Sequence, residues 1–338
     1  MKKIFLILLI ILLLPIKVFA SYVLINSDTN EVIYEENKNE KRLIASITKV
    51  MTAYIVIKNT PNLESTITVG EEVLKSHGSS IYLSVGEKIS IRELLYGLLL
   101  RSGNDAAMVL AINTAGSIEK FVKLMNDEAK VIGASNTFFQ NPTGLDDEGS
   151  ENISSAYDMA LITSKALKNS VFREIFQTKK YMVKTNKNVY SWTNKNKALF
   201  LSDFITGGKT GYTKKAHRTL ITSASMDNIN LVMVSLNMND DFNFHINKYK
   251  KVFNEYKRHI LFNRYDIRTD EKFIQNKYLY AKNNFYYVTK DSDINNLRIH
   301  YYLYKKKKYR NHEIVGSVKI YDKKSLIFEE PIYYYKSN

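Results

Sequence analysis

The chain has 338 residues, of which 45% are hydrophobic and 25% are charged, and its formal net charge is +15. This length predicts about two domains of roughly 100–200 residues each, with enough apolar material for a sizeable core. The chain contains no cysteine, which excludes a disulfide framework, a thiol nucleophile and a cysteine metal site. The six histidines form no closely spaced pair of the kind that binds zinc, which argues against a zinc enzyme.

The N-terminus has the pattern of a secretory signal peptide. Two lysines precede an eleven-residue apolar run, Ile4–Leu14, which is too short to span a bilayer comfortably. A proline breaks the run, and Val18-Phe19-Ala20 places small residues at the positions that a signal peptidase reads. We therefore expect residues 1–20 to be a cleaved signal peptide, the alternative being an uncleaved anchor. Export favours anionic wall polymer or a membrane surface, rather than nucleic acid, as the partner of a basic chain.

The region after the signal peptide is expected to begin with strands, continue with helices and end with strands and a helix. The predicted elements are, in chain order, a hairpin over 22–35, a helix that starts near Ser46 and ends before Pro61, a helix from the capping box Ser90-Ile91-Arg92-Glu93 to about Leu100, helices over 104–115 and 117–132, a turn over 141–144, a helix capped by Ser154 or Ser155, strands over 219–224 and 230–236, and a helix from about His245 to Lys257. This order predicts an α+β fold whose antiparallel sheet is built from both ends of the domain.

The composition changes near residue 262. Thirteen of the 24 tyrosines lie in 262–338, among short runs of alternating polarity that are typical of strands. We therefore predict a catalytic domain over 21–260 and a small all-β domain over 261–338. The basic run Lys305–Lys308 in the second domain is either a solvated hairpin tip or a contact for an anionic wall or membrane surface.

The first of three motifs with chemical meaning is Ser46-Ile47-Thr48-Lys49. Residues three apart lie on one face of a helix, so the Ser46 hydroxyl and the Lys49 amine are expected to meet. A serine hydroxyl is a poor nucleophile without a base. A lysine amine acts as that base only when it is neutral, which burial and cationic neighbours such as Lys209 favour.

The other two motifs are Ser102-Gly103-Asn104, in a break between two helices, and Lys209-Thr210-Gly211, which leads into the strand over 219–224. Lys209 and Thr210 supply a cation and a hydroxyl at a strand edge, and Gly211 leaves room for a substrate backbone to pair there. The backbone N–H groups of Ser46 and Tyr212 are the expected oxyanion donors. The first motif is weak alone, since Ser117-x-x-Lys120 also matches it and is interpreted as a helix start. Ser-x-Asn occurs three times in the chain, whereas Lys-Thr-Gly occurs once. The order and the surroundings of the three motifs carry the argument.

These motifs and their surroundings resemble the serine D-alanyl-D-alanine carboxypeptidases, the low-molecular-weight penicillin-binding proteins. The similar segments are 42–53 around the nucleophile, Phe139–Leu145 followed by Ser155–Ala160, and Gly207–Thr213 around the third motif. The resemblance covers residues 22 to about 257 and, more weakly, the C-terminal part through 315–331. It implies a penicillin-binding, β-lactamase-like transpeptidase domain, in which an antiparallel sheet packs with helices, followed by a small all-β domain.

The resemblance also implies the roles of individual residues. Ser46 would be acylated by the penultimate D-alanine of a peptidoglycan stem peptide, with Lys49 as the general base. Ser102 would pass a proton to the leaving amine, and Asn104 would orient the substrate and Lys49. The carboxylate of the terminal D-alanine would be held by Lys209 and Thr210. Inhibition by β-lactams, and chemistry without a metal or organic cofactor, follow from the same resemblance. Action outside the cytoplasmic membrane is expected from the signal peptide.

The chain departs from the family in one feature of the carboxylate site. Many relatives carry an arginine on the helix after the last core strand, whereas this chain has Phe244-His245-Ile246 there. Arg218 is a candidate for the missing charge, and the alternative is an ordinary surface residue of a strand.

Three alternative functions use the same sequence features. A β-lactamase would need a deacylating base, for which Glu148 in Glu148-x-x-x-Asn152 has the spacing of the class A enzymes, although it lies in a polar insertion. A D,D-endopeptidase would use the same catalytic residues on cross-linked peptides. A wall-binding module with a decayed site would not need the three intact motifs.

Overall fold

The computed structural model describes residues 20–147 and 149–336, so all but the last residue of the predicted signal peptide lies outside the described residues. The chain forms two compact units. The first comprises the chain up to Ser225 together with Asn230–Asn247, and the second comprises Met226–Ile229 and the chain from Lys248 onward. The division falls before the predicted boundary at residue 260, and the domain bounds inferred from the sequence stay predictions. No helix of the described residues is long and apolar enough to cross a bilayer.

The first unit contains most of the helices and one large sheet. Its helices are α1 (Lys49–Asn59), α2 (Ile91–Tyr96), α3 (Asn104–Ala115), α4 (Ile118–Ile132), α5 (Ala156–Leu167), α6 (Ser170–Gln177), α7 (Ala198–Leu201) and the first half of α8 (Asp241–Glu255). Its strands are β1 (Ser21–Asn26), β2 (Val32–Glu36), β3 (Arg42–Leu43), β4 (Thr66–Thr68), β5 (Lys88–Ser90), β6 (Ile153–Ser154), β7 (Lys180–Lys184), β8 (Val189–Thr193), β9 (Ile205–Thr213), β10 (His217–Met226) and β11 (Ile229–Leu236).

The large sheet joins strands from both ends of the first unit, as the sequence predicts. Its hydrogen-bonded order is β2-β1-β11-β10-β9. β1 runs antiparallel to β11, with Val23 opposite Val234, and β10 runs antiparallel to β9, with Leu220 opposite Thr210. The third motif therefore lies on an edge strand of the sheet, which leaves one side of β9 without a strand neighbour.

Helix α1 lies at the centre of the helical part of this unit. Every residue from Lys49 to Ile57 is buried, and α1 packs against α3, α4, α5 and α6. Its sequence is apolar on nearly all sides, which is the pattern of a helix enclosed by protein. The two site residues at its start are therefore held by the best-packed helix of the unit.

Three elements differ from the sequence-based expectations. The Lys209-Thr210-Gly211 motif does not lead into the next strand but lies within a strand of its own, β9. The three glycines of β9 lower its strand propensity, yet packing requires them. A Cβ at Gly208, for example, would lie 2.6 Å from the Ile221 carbonyl oxygen. The hairpin of β7 and β8 was not predicted, and α8 begins at Asp241 rather than His245.

Apart from the second half of α8 and short helical segments, the regular structure among the described residues of the second unit consists of strands. They are β12 (Lys257–Phe262), β13 (Leu279–Tyr280), β14 (Phe285–Thr289), β15 (Leu297–Leu303), β16 (Ile314–Asp322) and β17 (Ser325–Tyr334). β12 pairs with β14, and the other four form a sheet in the order β13-β17-β16-β15. Phe262, Phe285, Val318 and Ile332 belong to its own hydrophobic core. The prediction of a small all-β part is confirmed.

We expect the capping box of α2 to stabilise the first unit measurably. The Ser90 hydroxyl accepts a hydrogen bond from the Glu93 N–H at 3.2 Å, and the Glu93 carboxylate accepts one from the Ser90 N–H at 2.8 Å. Ser90→Ala removes the first of these bonds and should lower the free energy of unfolding by about 1 kcal/mol, as measured by urea denaturation. Glu93→Gln keeps an acceptor and is the control. An unchanged urea midpoint for Ser90→Ala would contradict the expectation.

Candidate active site

Ser46 lies in a tight turn directly before α1. The α-helix begins at Lys49, and the residues Ala45–Thr48 form a 3-10 turn rather than the α-helical start that the sequence predicts. Ala45 has a φ of +48°, which is uncommon for a residue with a side chain. Ala45 and Ile47 are buried, whereas Ser46 is partly exposed. The turn therefore anchors its apolar residues in the core and leaves the Ser46 hydroxyl accessible.

The amine of Lys49 is completely buried and is surrounded by three oxygen atoms. Its Nζ lies 3.1 Å from the Ser46 Oγ, 2.7 Å from the Asn104 Oδ1 and 2.5 Å from the Thr143 carbonyl oxygen. A neutral amine has two N–H groups and one lone pair. The Asn104 Oδ1 and the Thr143 carbonyl oxygen can only accept hydrogen bonds, so they accept from the two N–H groups. The lone pair of the amine then faces the Ser46 hydroxyl. This arrangement is that of a base positioned to remove the proton of Ser46.

The electrostatics of the site favour that neutral form. The pKa of Lys49 is lowered to about 7, mainly by burial and then by the positive charge of Lys195, while the negative charge of Asp105 acts against both. Burial also lowers the pKa of Lys209, to which the charges of Lys49 and Lys195 add. The sequence analysis named Lys209 as the cationic neighbour of Lys49; Lys195 was missed because the sequence contains no motif around it.

The second motif is held at a sharp change of chain direction. Ser102 has a φ of +67° and lies between the π-helical turn Gly97–Arg101 and α3. Its Oγ accepts a hydrogen bond from the Lys209 Nζ at 3.0 Å. The Asn104 amide is fixed at both ends, since its Nδ2 donates to the His77 carbonyl at 2.6 Å while its Oδ1 accepts from Lys49. Ser102 and Asn104 thus each contact one of the two buried lysines.

Strand β9 brings the third motif against the nucleophile. The Lys209 side chain is buried and donates to Ser102 and, at 2.6 Å, to the Thr210 carbonyl. A Cβ at Gly211 would lie 2.4 Å from the Thr219 Oγ1 and 2.9 Å from the Ser46 nitrogen, so only glycine fits there. Thr210 and Gly211 are partly exposed and Tyr212 is exposed, which leaves the strand edge open to a ligand.

The loop over 141–144 completes the support of Lys49. The Asn141 Oδ1 accepts hydrogen bonds from the Thr143 and Gly144 N–H groups at 3.1 and 2.7 Å. Gly144 has a φ of +79°, and a Cβ there would lie 2.0 Å from the Ala45 carbonyl oxygen. The loop therefore packs directly against the turn of the nucleophile. The sequence analysis quoted this segment but did not expect the Thr143 carbonyl to contact Lys49.

The site opens into a cleft of about 360 Å³. The lining residues are Ser46, Ser79, Ser102, Lys195, Lys197, Thr210, Gly211, Tyr212, Arg218, Thr219, Asp241 and Phe242. Six hydroxyl groups and three basic side chains among them favour a polar ligand that carries negative charge.

Arg218 lies in this cleft and not on an unrelated surface. Its guanidinium forms two hydrogen bonds with the buried Asp241 carboxylate, at 2.5 and 3.2 Å, and lies 5.4 Å from the centre of the Phe242 ring. The side chain remains 42% exposed. His245, by contrast, is a core residue: it bonds to Thr222 and Ser235, and burial lowers its pKa to about 3.

Comparison with known proteins assigns the fold and the site to one family. A profile of the D-alanyl-D-alanine carboxypeptidases, peptidase family S11, matches residues 17–240. This chain belongs to that family. The match includes all three motifs and extends to Asp240, next to the acid that pairs with Arg218.

Individual relatives agree with this assignment. The carboxypeptidase DacF of Bacillus subtilis is 37% identical over 219 residues, which are 63% of this chain and 56% of that protein. Among solved structures, penicillin-binding protein 6B of Escherichia coli is 25% identical with a TM-score of 0.73, over 94% of this chain and 96% of that one. A carboxypeptidase of Mycobacterium tuberculosis is 27% identical with a TM-score of 0.66, over 69% and 90%. The chain spans about half the length of the curated relatives it matches. The predicted fold class is confirmed.

We expect the acylation rate to rise with pH through an acid limb with its midpoint near 7. The pKa of Lys49 is lowered to about 7, so its amine is mostly protonated below that pH and mostly neutral above it. At pH 6 the rate should be about a tenth of its plateau. The measurement is the rate of acylation by a fluorescent penicillin between pH 5 and 9, with circular dichroism as the control for folding. A rate that stays constant from pH 5 to 8 would rule out Lys49 as the base.

We expect Arg218 to contribute to binding of a substrate carboxylate. Arg218→Ala should lower kcat/KM for a peptide with a free C-terminus by about 10- to 100-fold, mainly through KM, since hydrogen bonds between charged groups contribute about 1.5–3 kcal/mol. The substitution also leaves the buried Asp241 without its partner, which repels a carboxylate. The double variant Arg218→Ala/Asp241→Asn separates these effects. Full recovery in the double variant, or no loss in the single one, would make Arg218 a structural residue.

Proposed function

We propose that this protein is a serine-type D-alanyl-D-alanine carboxypeptidase that hydrolyses the terminal D-Ala-D-Ala bond of peptidoglycan stem peptides. The observation that carries the proposal is a pair of buried amine–hydroxyl contacts in one cleft. Lys49 lies 3.1 Å from Ser46, and Lys209 lies 3.0 Å from Ser102. The first contact suits activation of a nucleophile, and the second suits delivery of a proton to a leaving group.

The acylation step uses the first contact. The Ser46 oxygen attacks the carbonyl carbon of the penultimate D-alanine while its proton passes to the neutral amine of Lys49. Backbone N–H groups of Ser46 and Tyr212 are the proposed donors to the oxyanion. This proposal is supported by the close approach of the β9 backbone to Ser46, since a Cβ on Gly211 would meet the Ser46 nitrogen at 2.9 Å.

Departure of the terminal D-alanine uses the second contact. The peptide bond breaks, the acyl group remains on Ser46 as an ester, and the leaving nitrogen takes a proton from the Ser102 hydroxyl. Ser102 is resupplied by Lys209, whose Nζ donates to it. The carboxylate of the leaving residue is held by Lys209, Thr210 and Arg218, and its negative charge favours the protonated form of Lys209 that burial alone disfavours.

Water then attacks the ester carbonyl, its hydroxyl becomes part of the new peptide carboxyl group, and its other proton returns to the Ser46 oxygen as the ester bond breaks. The proton left on Lys49 replaces the one that Lys209 gave up, which returns the enzyme to its starting state. A β-lactam forms the same ester but keeps its leaving group attached, so we expect a long-lived adduct. The β-lactamase alternative requires rapid deacylation, and its candidate base, Glu148, lies outside the described residues. Its partner in that spacing, Asn152, is buried and donates to the Thr48 Oγ1 and the Asn141 carbonyl, which is a structural role. The D,D-endopeptidase alternative uses the same catalytic residues.

We also propose that the protein is exported and that its basic surface contacts an anionic wall polymer or the membrane. The support for export is the charged and apolar pattern of residues 1–20, together with a substrate class that lies outside the cytoplasmic membrane. The support for an anionic partner is the net charge, which remains +12 when residues 1–20 and their three lysines are removed.

The proposal is tested by release of D-alanine from a synthetic peptide that ends in D-Ala-D-Ala. The chain from Ser21 onward should release D-alanine, and Ser46→Ala should reduce the rate by at least about 10⁴-fold, because the covalent step is lost. Ser117→Ala, at the second Ser-x-x-Lys sequence, is the matched control and should retain full activity, since Ser117 caps α4 by accepting from the Lys120 N–H. Equal activity of Ser46→Ala and the wild type would disprove the assignment of the nucleophile.

The same preparation distinguishes the alternatives. Rapid turnover of penicillin without a stable adduct would favour a β-lactamase. Cleavage of cross-linked dimers, without release of D-alanine from the monomeric peptide, would favour an endopeptidase. Lys49→Ala should be nearly as inactive as Ser46→Ala, because residues that act as one catalytic unit are not additive.

A further inference from the structure

The net charge of this protein is concentrated in the second unit. Residues 248–336 carry 21 Lys and Arg residues against 10 Asp and Glu residues, a formal charge of +11. Residues 20–247 carry 25 against 24 and are almost neutral. Seven of the cations lie in three short segments, together with a single acid, Glu313. These cations are Lys277, Lys305, Lys306, Lys307, Lys308, Arg310 and Lys336, and we call this cluster the basic end.

The topology brings the three segments to one end of the four-stranded sheet. Leu279 at the start of β13 pairs with Tyr334 at the end of β17, and Leu303 at the end of β15 pairs with Gly316 near the start of β16. The start of β13, the end of β17 and the loop between β15 and β16 therefore lie at the same end of the sheet. All four lysines of that loop are exposed.

Contacts between the segments hold the cations there. The Asn311 side chain donates to the Lys336 carbonyl at 3.0 Å and accepts from the Lys336 N–H at 2.9 Å. The Tyr309 hydroxyl donates to the Tyr304 carbonyl at 3.0 Å, and its ring lies 5.3 Å from that of Tyr334. The loop is thus packed on the sheet, which keeps its lysines at this end of the unit.

The basic end also exposes apolar surface. Tyr304 is 55% exposed, Tyr335 is 46% exposed and Ile314 is 49% exposed. Tyrosine rings beside lysines are amphipathic: the ring and the lysine stem can lie against apolar material while the charged head remains in water. Clusters of four to eight basic residues with such neighbours are typical of binding to anionic lipid headgroups.

We propose that the basic end docks on an anionic phospholipid surface. A planar surface fits because the cations converge at one end of the sheet instead of following a line across its face. On the face itself, Lys319 is paired with Glu329 at 3.0 Å, which leaves less charge for an extended polymer. In the basic end Lys306 is paired with Glu313 at 2.5 Å, which neutralises one of its seven cations. This inference rests on the anionic partner proposed above, which it narrows to phospholipid, and it does not depend on the catalytic activity.

The test compares two matched pairs of lysines on the same sheet. Lys307→Gln/Lys308→Gln removes two charges from the basic end. Lys323→Gln/Lys324→Gln removes two charges from the turn at the opposite end, where Asp322 also lies. β15 has seven residues and spans about 23 Å, well beyond the Debye length of about 8 Å at physiological ionic strength. The control pair should therefore not sense a surface at the basic end.

The measurement is co-sedimentation of the chain from Ser21 onward with vesicles. With vesicles of 30% phosphatidylglycerol in phosphatidylcholine, the basic-end variant should bind about 30-fold more weakly, from about 1 kcal/mol per lysine. The control variant should change by less than about threefold, and both should melt at the wild-type temperature. Equal binding to pure phosphatidylcholine, equal losses in both variants, or retention on soluble polyphosphate without vesicle binding would each overturn the proposal.

Discussion

The active site depends on the burial of two lysine amines in one cleft. Lys49 and Lys209 are both shielded from water, and a charged ammonium in such a place is costly unless every N–H group finds an acceptor. The protein provides acceptors from separate segments, among them the Asn104 side chain and the Thr143 carbonyl for Lys49. Because the two amines also repel each other as ammonium ions, the site favours a state in which at most one of the two is charged. A neutral base beside a serine hydroxyl is the consequence of that constraint.

Much of the surrounding fold serves to bring hydrogen-bond acceptors to the two buried amines. The acceptors must approach from different directions at close range, which requires backbone conformations that ordinary helices and strands do not provide. Ala45 and Ser102 have positive φ angles, and Gly144 has one where a Cβ would strike the Ala45 carbonyl. Such conformations carry a cost and persist where the surroundings determine them strongly. Helix α1, which is buried along nearly its whole length, and the sheet edge at β9 supply those surroundings.

The sequence predicted the parts of the site that depend on short motifs and local patterning. The capping box at Ser90, the bounds of α3 and α4 and the cap at Ser155 all follow from local chemistry and were correct. The expectation that the Lys209 motif only leads into the strand over 219–224 was wrong, because the three glycines of β9 lower its strand propensity and packing stabilises the strand. The positions of Lys195 and Asp241 near the nucleophile could not be predicted, since each contact joins residues far apart in the chain and neither belongs to a motif.

The distribution of charge suggests that recognition works over two different distances. The catalytic unit is almost neutral, so it has little attraction for polyanions beyond a Debye length, which is about 8 Å. Its positive character is local and comes from Lys195, Lys197 and Arg218, which line one cleft. Short contacts with such side chains suit a single carboxylate. The second unit carries nearly all of the excess charge, and many weak contacts of this kind suit a large anionic partner. The two proposed ligands, a peptide carboxylate and an anionic surface, are therefore matched by residues in separate parts of the chain.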